Sequence, residues 1–297
     1  MNQTAGRRDF LKYAAAVTVG TGLLTTTGRS QGQGAKLLKA CQYNMLPKNL
    51  KDAEKFALAK KCGFEGVELN GPIKDLAAAK EMGTLARQAG VPINGIVNGW
   101  GGPLSDPKPE NVAKGMASME TSLRCAKAVG ADAVLLVPAV VNEEVGYAEA
   151  WERSQKNIRK LLPLAKELQV TIAVENVWNK FLLSPVEFAK YVDEFNDPWL
   201  KAYVDVGNMI LFGFAQDWVR TVGKRIVRIH LKDFKRPSDR KGYEWTNLLD
   251  GEVNWPQVRK ALDEIGYRGY MTTELSGGDE AYLTDLSKRI DKIIAMK

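Results

Sequence analysis

From Lys36 onward the chain alternates short apolar runs with longer amphipathic ones, which predicts repeated βαβ units around a parallel sheet. Eight apolar runs read as strands: Leu37–Tyr43, Gly66–Leu69, Pro92–Val97, Ala133–Val137, Thr171–Glu175, Ala202–Asp205, Val227–Leu231 and Tyr270–Glu274. Helical spacing falls between them at Leu50–Cys62, Leu76–Ala89, Asn111–Val129, Tyr147–Leu168, Pro185–Phe195 and Trp255–Ile265. Gly63, Gly90, Gly130 and Gly266 punctuate the repeat, as helix C-caps require. The pattern predicts an α/β protein built as a (β/α)8 TIM barrel. An open doubly wound sheet would normally carry a Gly-rich phosphate turn after an early strand, and none is present. The loops after the third, fourth and seventh strands are long, and a barrel carries its specificity in such loops.

Composition narrows the class without naming a chemistry. Of 297 residues, 45% are hydrophobic and 26% charged, ordinary for a chain that buries a sizeable core. The net charge of +7 divides into +3 on residues 1–34, where Arg7, Arg8, Lys12 and Arg29 oppose Asp9, and +4 on the rest. Both signs are interspersed thereafter, which argues against nucleic-acid binding. Cys41, Cys62 and Cys125 are widely spaced with no CxxC pair, so buried structural thiols are expected rather than a redox or zinc motif.

Residues 1–34 read as a targeting segment, and 35–297 as one barrel domain of a size typical for the fold. Arg7-Arg8-Asp9-Phe10-Leu11-Lys12 precedes a mildly apolar stretch, Tyr13 to Leu24, and then the polar run TTTGRSQGQG. The segment resembles a twin-arginine export signal, which implies engagement with the twin-arginine machinery and a periplasmic or otherwise exported protein; a non-functional leader would leave it cytoplasmic. The stretch is too short and too diluted by Thr18, Gly20, Thr21 and Gly22 to be a stable membrane span.

Each of the last four strand candidates places a polar residue at or beside its C-terminal end: Glu175, Asp205, His230 and Glu274. In a closed barrel those ends converge on one mouth, so the four are expected to share one divalent ion. Alone, each carboxylate reads as readily as a helix cap, and a lone histidine as a satisfied core residue. Their coincidence, with His230 the only histidine of the chain, argues for a site. Three carboxylates and an imidazole suit Mn, Mg, Co or Zn with open positions for substrate oxygens.

The segments AVENVWNKF, YVDVGN, RIHLKDFKR, LLDGEVNW and TTEL, in this order, resemble the xylose-isomerase-like superfamily of sugar isomerases and epimerases. The resemblance spans about Leu37 to Ile294 and is greatest to L-ribulose-5-phosphate 3-epimerase-like and hexulose-6-phosphate isomerase-like proteins. It implies that Glu175, Asp205, His230 and Glu274 hold a metal, with Glu175 and Glu274 doubling as the acid/base pair. A metal chelating the carbonyl and adjacent hydroxyl of a ketose would stabilise the enediolate left by proton abstraction. Return of the proton from the opposite face gives an epimer; return to the neighbouring carbon moves the carbonyl. The chain departs from ketose 3-epimerases of the tagatose type, carrying Asn208 where they have a histidine and Lys232, Lys235 and Arg236 after the His-containing strand. Lys232 and Asp233 are candidates to orient hydroxyls or tune the ligand shell; Lys235 and Arg236 either meet a phosphate or belong to a solvated loop.

Further substrate-binding candidates are Glu68, Asn98, Trp100, Asn176, Asn208 and Lys232, with Asn70, Trp178 and Asn179 beside them. Trp100, in NGWGGP, is the expected pocket wall; Glu68 reads equally as a substrate contact or a structural salt bridge. The expected substrate is a small sugar or keto-sugar, free rather than phosphorylated if the leader exports the enzyme. Elimination by a dehydratase or lyase shares the first step and stays open, as does, less favoured, a non-catalytic sugar-binding role. A three-metal nuclease on the same barrel would need several histidines. The resemblance also allows a homo-oligomer.

Overall fold

The computed structural model describes residues 36–236 and 242–297; the leader lies outside them. Eight parallel strands close a barrel: β1 (Leu37–Gln42), β2 (Gly66–Leu69), β3 (Ile93–Gly99), β4 (Ala133–Leu136), β5 (Thr171–Glu175), β6 (Leu200–Asp205), β7 (Ile226–Leu231) and β10 (Gly269–Thr273), with β10 pairing β1 and β7. Between β7 and β10 an antiparallel hairpin, β8 (Asp233–Lys235) and β9 (Glu244–Thr246), stands in the long loop. Among the described residues eight α-helices surround the barrel: α1 (Asp52–Lys61), α2 (Leu76–Gln88), α3 (Pro109–Val129), α4 (Tyr147–Leu168), α5 (Pro185–Asp193), α6 (Ala215–Val222), α7 (Trp255–Glu264) and α8 (Glu280–Ala295). The barrel expected from the sequence is therefore present. Helices α6 and α8 and the hairpin add to the predicted elements. No helix among the described residues is long and apolar enough to cross a membrane.

Local chemistry explains the boundaries. Asp75 caps α2 by accepting from the N–H groups of Ala77 and Ala78, Asn254 caps α7 through Gln257 N–H, and Asp279 caps α8 through Tyr282 N–H. Gly130 ends α3 at φ +89°, a left-handed conformation that a Cβ would strain. The last barrel strand stops at Thr273, one residue before the predicted end, although Glu274 N–H still bonds Leu231 C=O at 3.2 Å.

Strand alternation decides what faces the barrel interior. In β5, Ile172 and Val174 belong to the main apolar layer shared with the helices, leaving Ala173 and Glu175 to point inward. In β6, Ala202 and Val204 pack outward while Tyr203 and Asp205 point in; in β7, Ile229 and Leu231 pack outward while Arg228 and His230 point in. Leu135, Ala173, Tyr203 and Val227, with Val97 against them, form a separate small apolar cluster. Arg228, almost fully buried, pairs with Asp132, donates to the carbonyls of Asn94 and Val227, and lies 5.6 Å from the Tyr270 ring. All three cysteines are buried and free, as expected.

Candidate metal centre and substrate pocket

At the C-terminal mouth, Glu175, Asp205, His230 and Glu274 each offer a ligand atom, all within 4.8 Å of one another. His230 Nδ1 is 2.9 Å from Glu175 Oε1, 2.9 Å from Glu274 Oε2 and 4.0 Å from Asp205 Oδ2. Glu175, Asp205 and His230 are buried, whereas the Glu274 side chain is 31% exposed and opens toward solvent.

Local backbone aims each of these groups. Asp205 Oδ1 accepts from the N–H groups of Gly207 and Asn208, both at 2.8 Å, which turns Oδ2 toward His230. Gly207 is needed because a Cβ there would come within 2.5 Å of Lys232 Cβ. Asn176 exchanges two hydrogen bonds with the Asp205 backbone, both at 3.0 Å, and Asn208 Nδ2 donates to Asn176 C=O, locking the ends of β5 and β6 together.

Lys232 Nζ stands 3.0 Å from Asp205 Oδ2 and 2.8 Å from Glu274 Oε2. Neither oxygen receives a well-directed hydrogen bond, and both are buried. Buried carboxylates are costly unless cations meet them, and here one ammonium is shared between two carboxylates without a well-directed hydrogen bond to either. These under-compensated oxygens, converging with an imidazole nitrogen, fit a divalent ion held by oxygen and nitrogen donors.

The cluster separates its carboxylates electrostatically. Burial pushes the Glu175 carboxyl up to about 7, with His230 only partly offsetting it. Burial acts the same way on Glu274, but His230 and Lys232 beside it prevail and hold its carboxyl well below the usual range. Burial disfavours a charged His230, yet Glu68 and Glu274 outweigh this and raise it well above its ordinary value. Lys232 is raised too, as Asp205 and Glu274 overcome its desolvation.

The other predicted residues divide sharply. Lys232 lines a cavity of about 580 Å³ above Glu274, together with Gln42, Asn44, Trp245, Ser276 and Tyr282 among others. Glu68, expected as a substrate contact or salt bridge, is wholly buried with its Oε2 at 2.7 Å from His230 Nε2, so it does not reach the mouth. Asn98 turns toward α3, where its Oδ1 accepts from Ser118 and Ser122, and it is not among the residues lining this cavity. Asn176 is spent on the backbone bonds described above, whereas Asn208 splits its amide between the Asn176 carbonyl and Lys232 Nζ, which donates to its Oδ1 at 3.4 Å.

Trp100, the expected wall, is 62% exposed and not part of this cavity's lining. Trp245 on β9 takes that place, stacked on Trp178 with centroids 5.2 Å apart and backed by Phe234. Its position follows from the hairpin, which the sequence reading lacked; the signal was the polar–aromatic alternation around Tyr243 and Trp245.

Asp233 is also reassigned. Its carboxylate accepts from Phe234, Leu249 and Val253 N–H groups and from Trp255 Nε1, so it staples the hairpin to the DGEVNW loop instead of orienting hydroxyls. Asn70 holds Gln42 at 2.8 Å, and Asn179 ties its own loop to Ala139 C=O. Lys235 and Arg236 face Glu244 and Glu252 respectively.

The fold is a closed (β/α)8 barrel with three carboxylates and one imidazole, a set that could hold a metal ion, gathered at its C-terminal mouth. The chain belongs to the xylose isomerase-like TIM barrel family, whose profile matches residues 56–292. A Haemophilus influenzae protein provisionally named L-ribulose-5-phosphate 3-epimerase is 26% identical over 244 residues, covering 77% of this chain and 85% of that one. An Escherichia coli L-ribulose-5-phosphate 3-epimerase is 24% identical over 235 residues, covering 75% and 81%. Among solved structures, an L-ribulose 3-epimerase superposes with a TM-score of 0.73 at 15% identity, covering 87% of this chain and 94% of that one. The E. coli 3-keto-D-glucoside 4-epimerase superposes at 0.69 with 17% identity, covering 87% and 99%. These structural likenesses speak to the fold.

Proposed function

We propose that this chain is a divalent-metal-dependent sugar isomerase or epimerase acting on a ketose or related keto-sugar. The observation that carries the reading is geometric: Glu175, Asp205, His230 and Glu274 bring one ligand atom each within 4.8 Å of one another, and Glu274 also lines the cavity at the barrel mouth. Glu175 and Glu274 flank His230 from β5 and from the end of β10, which places two carboxylates beside one bound substrate. A bound divalent ion would be held by Glu175, Asp205, His230 and Glu274, and would supply Lewis-acid polarisation of the substrate's carbonyl.

The protein's own groups account for the rest. One carboxylate takes the proton beside the carbonyl and the other returns one. Lys232, drawn by Asp205 and Glu274, places a fixed positive charge at the cavity floor where oxygen atoms gain negative charge. Trp245 offers an apolar face to the sugar's C–H surface, while Gln42, Asn44 and Asn247 supply amide donors and acceptors. The two sequence relatives named above carry phosphorylated substrates in their names, and the two solved structures carry unphosphorylated sugars. For this chain an unphosphorylated sugar is favoured: among the described residues, the cavity's lining cation, Lys232, is already engaged by carboxylates, and Lys235 and Arg236 face Glu244 and Glu252. The Arg7-Arg8 leader supports export as part of this reading.

The deciding experiment incubates chelated and Mn2+-reconstituted protein with free ketoses, keto-sugars and their phosphates in D2O. Deuterium incorporation at unchanged composition, requiring Mn2+ and both carboxylates, supports the proposal; loss of water would reassign the enzyme to elimination, and no exchange on any sugar would remove the catalytic reading. Fractionation of cells expressing the chain with Arg7 and Arg8 replaced by Lys tests export.

A further inference from the structure

The metal centre has a buried polar layer behind it that no motif of the sequence announces. His230 presents two nitrogens to two different groups of carboxylates. Nδ1 faces Glu175, Glu274 and Asp205, whereas Nε2 is 2.7 Å from Glu68 Oε2. Glu68 stands on β2, on the barrel side remote from β6, and has no exposed surface.

Both of its oxygens are occupied. Oε1 accepts from Tyr203 O–H at 2.7 Å and Oε2 accepts from Gln42 Nε2 at 3.3 Å; Gln42 is itself held by Asn70 Nδ2 at 2.8 Å. The Tyr203 ring lies 4.3 Å from the His230 ring and packs in the small interior apolar cluster, so the phenol cannot swing away. Room for the carboxylate depends on Gly95, where a Cβ would sit 3.1 Å from Glu68 Oε1.

We propose that Glu68 is the positioning residue of the metal centre: its carboxylate keeps the His230 proton on Nε2 and presents the Nδ1 lone pair to the ion, with Tyr203 and Gln42 holding Glu68 in place. A neutral imidazole has one donor and one acceptor nitrogen, and the partner of the first selects the tautomer that leaves the second free. A carboxylate in that position also increases the basicity of the ligating nitrogen. Glu68 is not a ligand itself, because the imidazole stands between it and the cluster. A merely structural ion pair would stabilise the barrel but would not dictate which nitrogen meets a metal. The inference rests on the metal-site reading above.

Because His230 is the only histidine, one pair of 15N resonances reports the ring directly. In the Zn2+-loaded full chain, long-range 1H–15N spectra are expected to show Nδ1 metallated and Nε2 protonated, with the Nε2 proton far downfield from its bond to a carboxylate. Glu68→Gln should shift that proton upfield and weaken Mn2+ binding, read by calorimetry, about 10- to 100-fold with unchanged circular dichroism. Tyr203→Phe, which leaves the Glu68 charge in place, should give a smaller, several-fold loss. Metallation at Nε2 in the wild-type chain overturns the proposal, and does so even if Glu68→Gln fails to fold. Equal Mn2+ affinity and an unmoved proton in a folded Glu68→Gln protein also overturn it while sparing the function. A wild-type chain that takes up neither Mn2+ nor Zn2+ sinks the metal reading and this inference together.

Discussion

Two charged clusters share strands within one barrel and are balanced in opposite ways. Arg228 and His230 are two residues apart on β7, and Tyr270 lies on β10, which Glu274 directly follows. At Arg228 the charge is closed: Asp132, two backbone carbonyls and an aromatic face leave the guanidinium satisfied. At His230 four carboxylates, counting Glu68, meet one imidazole and one ammonium, and Asp205 Oδ2 and Glu274 Oε2 stay without directed donors. A cluster that needs nothing further is architecture. One assembled with excess negative charge has room for a further cation, which is the basis of the proposed metal site on the same strands.

The largest expected effect separates the two regions by activity. Glu274→Gln should lower Mn2+-dependent deuterium exchange by about 100- to 10,000-fold, the contribution of a single acid/base group, while the thermal transition of the metal-free protein stays within a few degrees. Exchange at wild-type rates would take Glu274 out of proton transfer. Arg228→Ala should do the reverse. Truncating this large buried side chain costs about 2–5 kcal/mol, chiefly through the cavity it leaves, since Asp132 is 38% exposed and can meet water; that is roughly 10 °C for a chain of this length, and the fraction that remains folded should keep its Mn2+ affinity. An unchanged melting temperature would show that the closed cluster does not support the barrel.

A third test adds the missing charge. Mn2+ at about 100 times its dissociation constant should stabilise the wild-type protein by about 2.7 kcal/mol, and the gain should vanish in Asp205→Asn if that ligand is essential. Equal gains in both proteins would place the ion elsewhere.

Proton linkage gives a smaller and signed effect. Glu175, raised to about 7, and His230, raised above its ordinary value, both bind protons more tightly in the folded chain than in the unfolded one. Their contribution is fully present below the unfolded values and is lost as pH rises through the folded ones. Metal-free protein should therefore melt a few degrees lower at pH 8 than at pH 5, and saturating Mn2+ should flatten that slope. Glu274, which is lowered, acts in the opposite direction only at more acidic pH. A metal-free melting temperature that rises from pH 5 to 8 would contradict the charge balance at the mouth.

The smallest effect concerns the pocket wall. Trp245→Ala should raise KM several-fold with little change in kcat, consistent with about 1 kcal/mol from an aromatic face, whereas Trp100→Ala should change neither. The opposite ranking would restore Trp100 as the wall.

The barrel and its four-ligand cluster were both legible in the sequence, for one physical reason. Strand periodicity is local, and a parallel barrel brings equivalent strand ends together whatever the loops do, so Glu175, Asp205, His230 and Glu274 were found by position along their own strands. What periodicity cannot express is a partner across the barrel. Glu68 and Tyr203 lie 135 positions apart and meet because β2 and β6 face one another through the interior. Asn98 looked like a mouth residue by its place on β3, but its side chain found Ser118 and Ser122 on the helix outside. Trp245 reached the pocket only because Asp233 gathered the hairpin and the DGEVNW loop around its carboxylate. Sequence alone determined the eight barrel strands and which four polar residues meet at their C-terminal ends, since these depend on neighbours along the chain and on the closure of a parallel barrel. Which polar groups support the imidazole, which ring walls the pocket and which amides are spent on backbone were decided by tertiary structure, because each depends on contacts closed between distant segments.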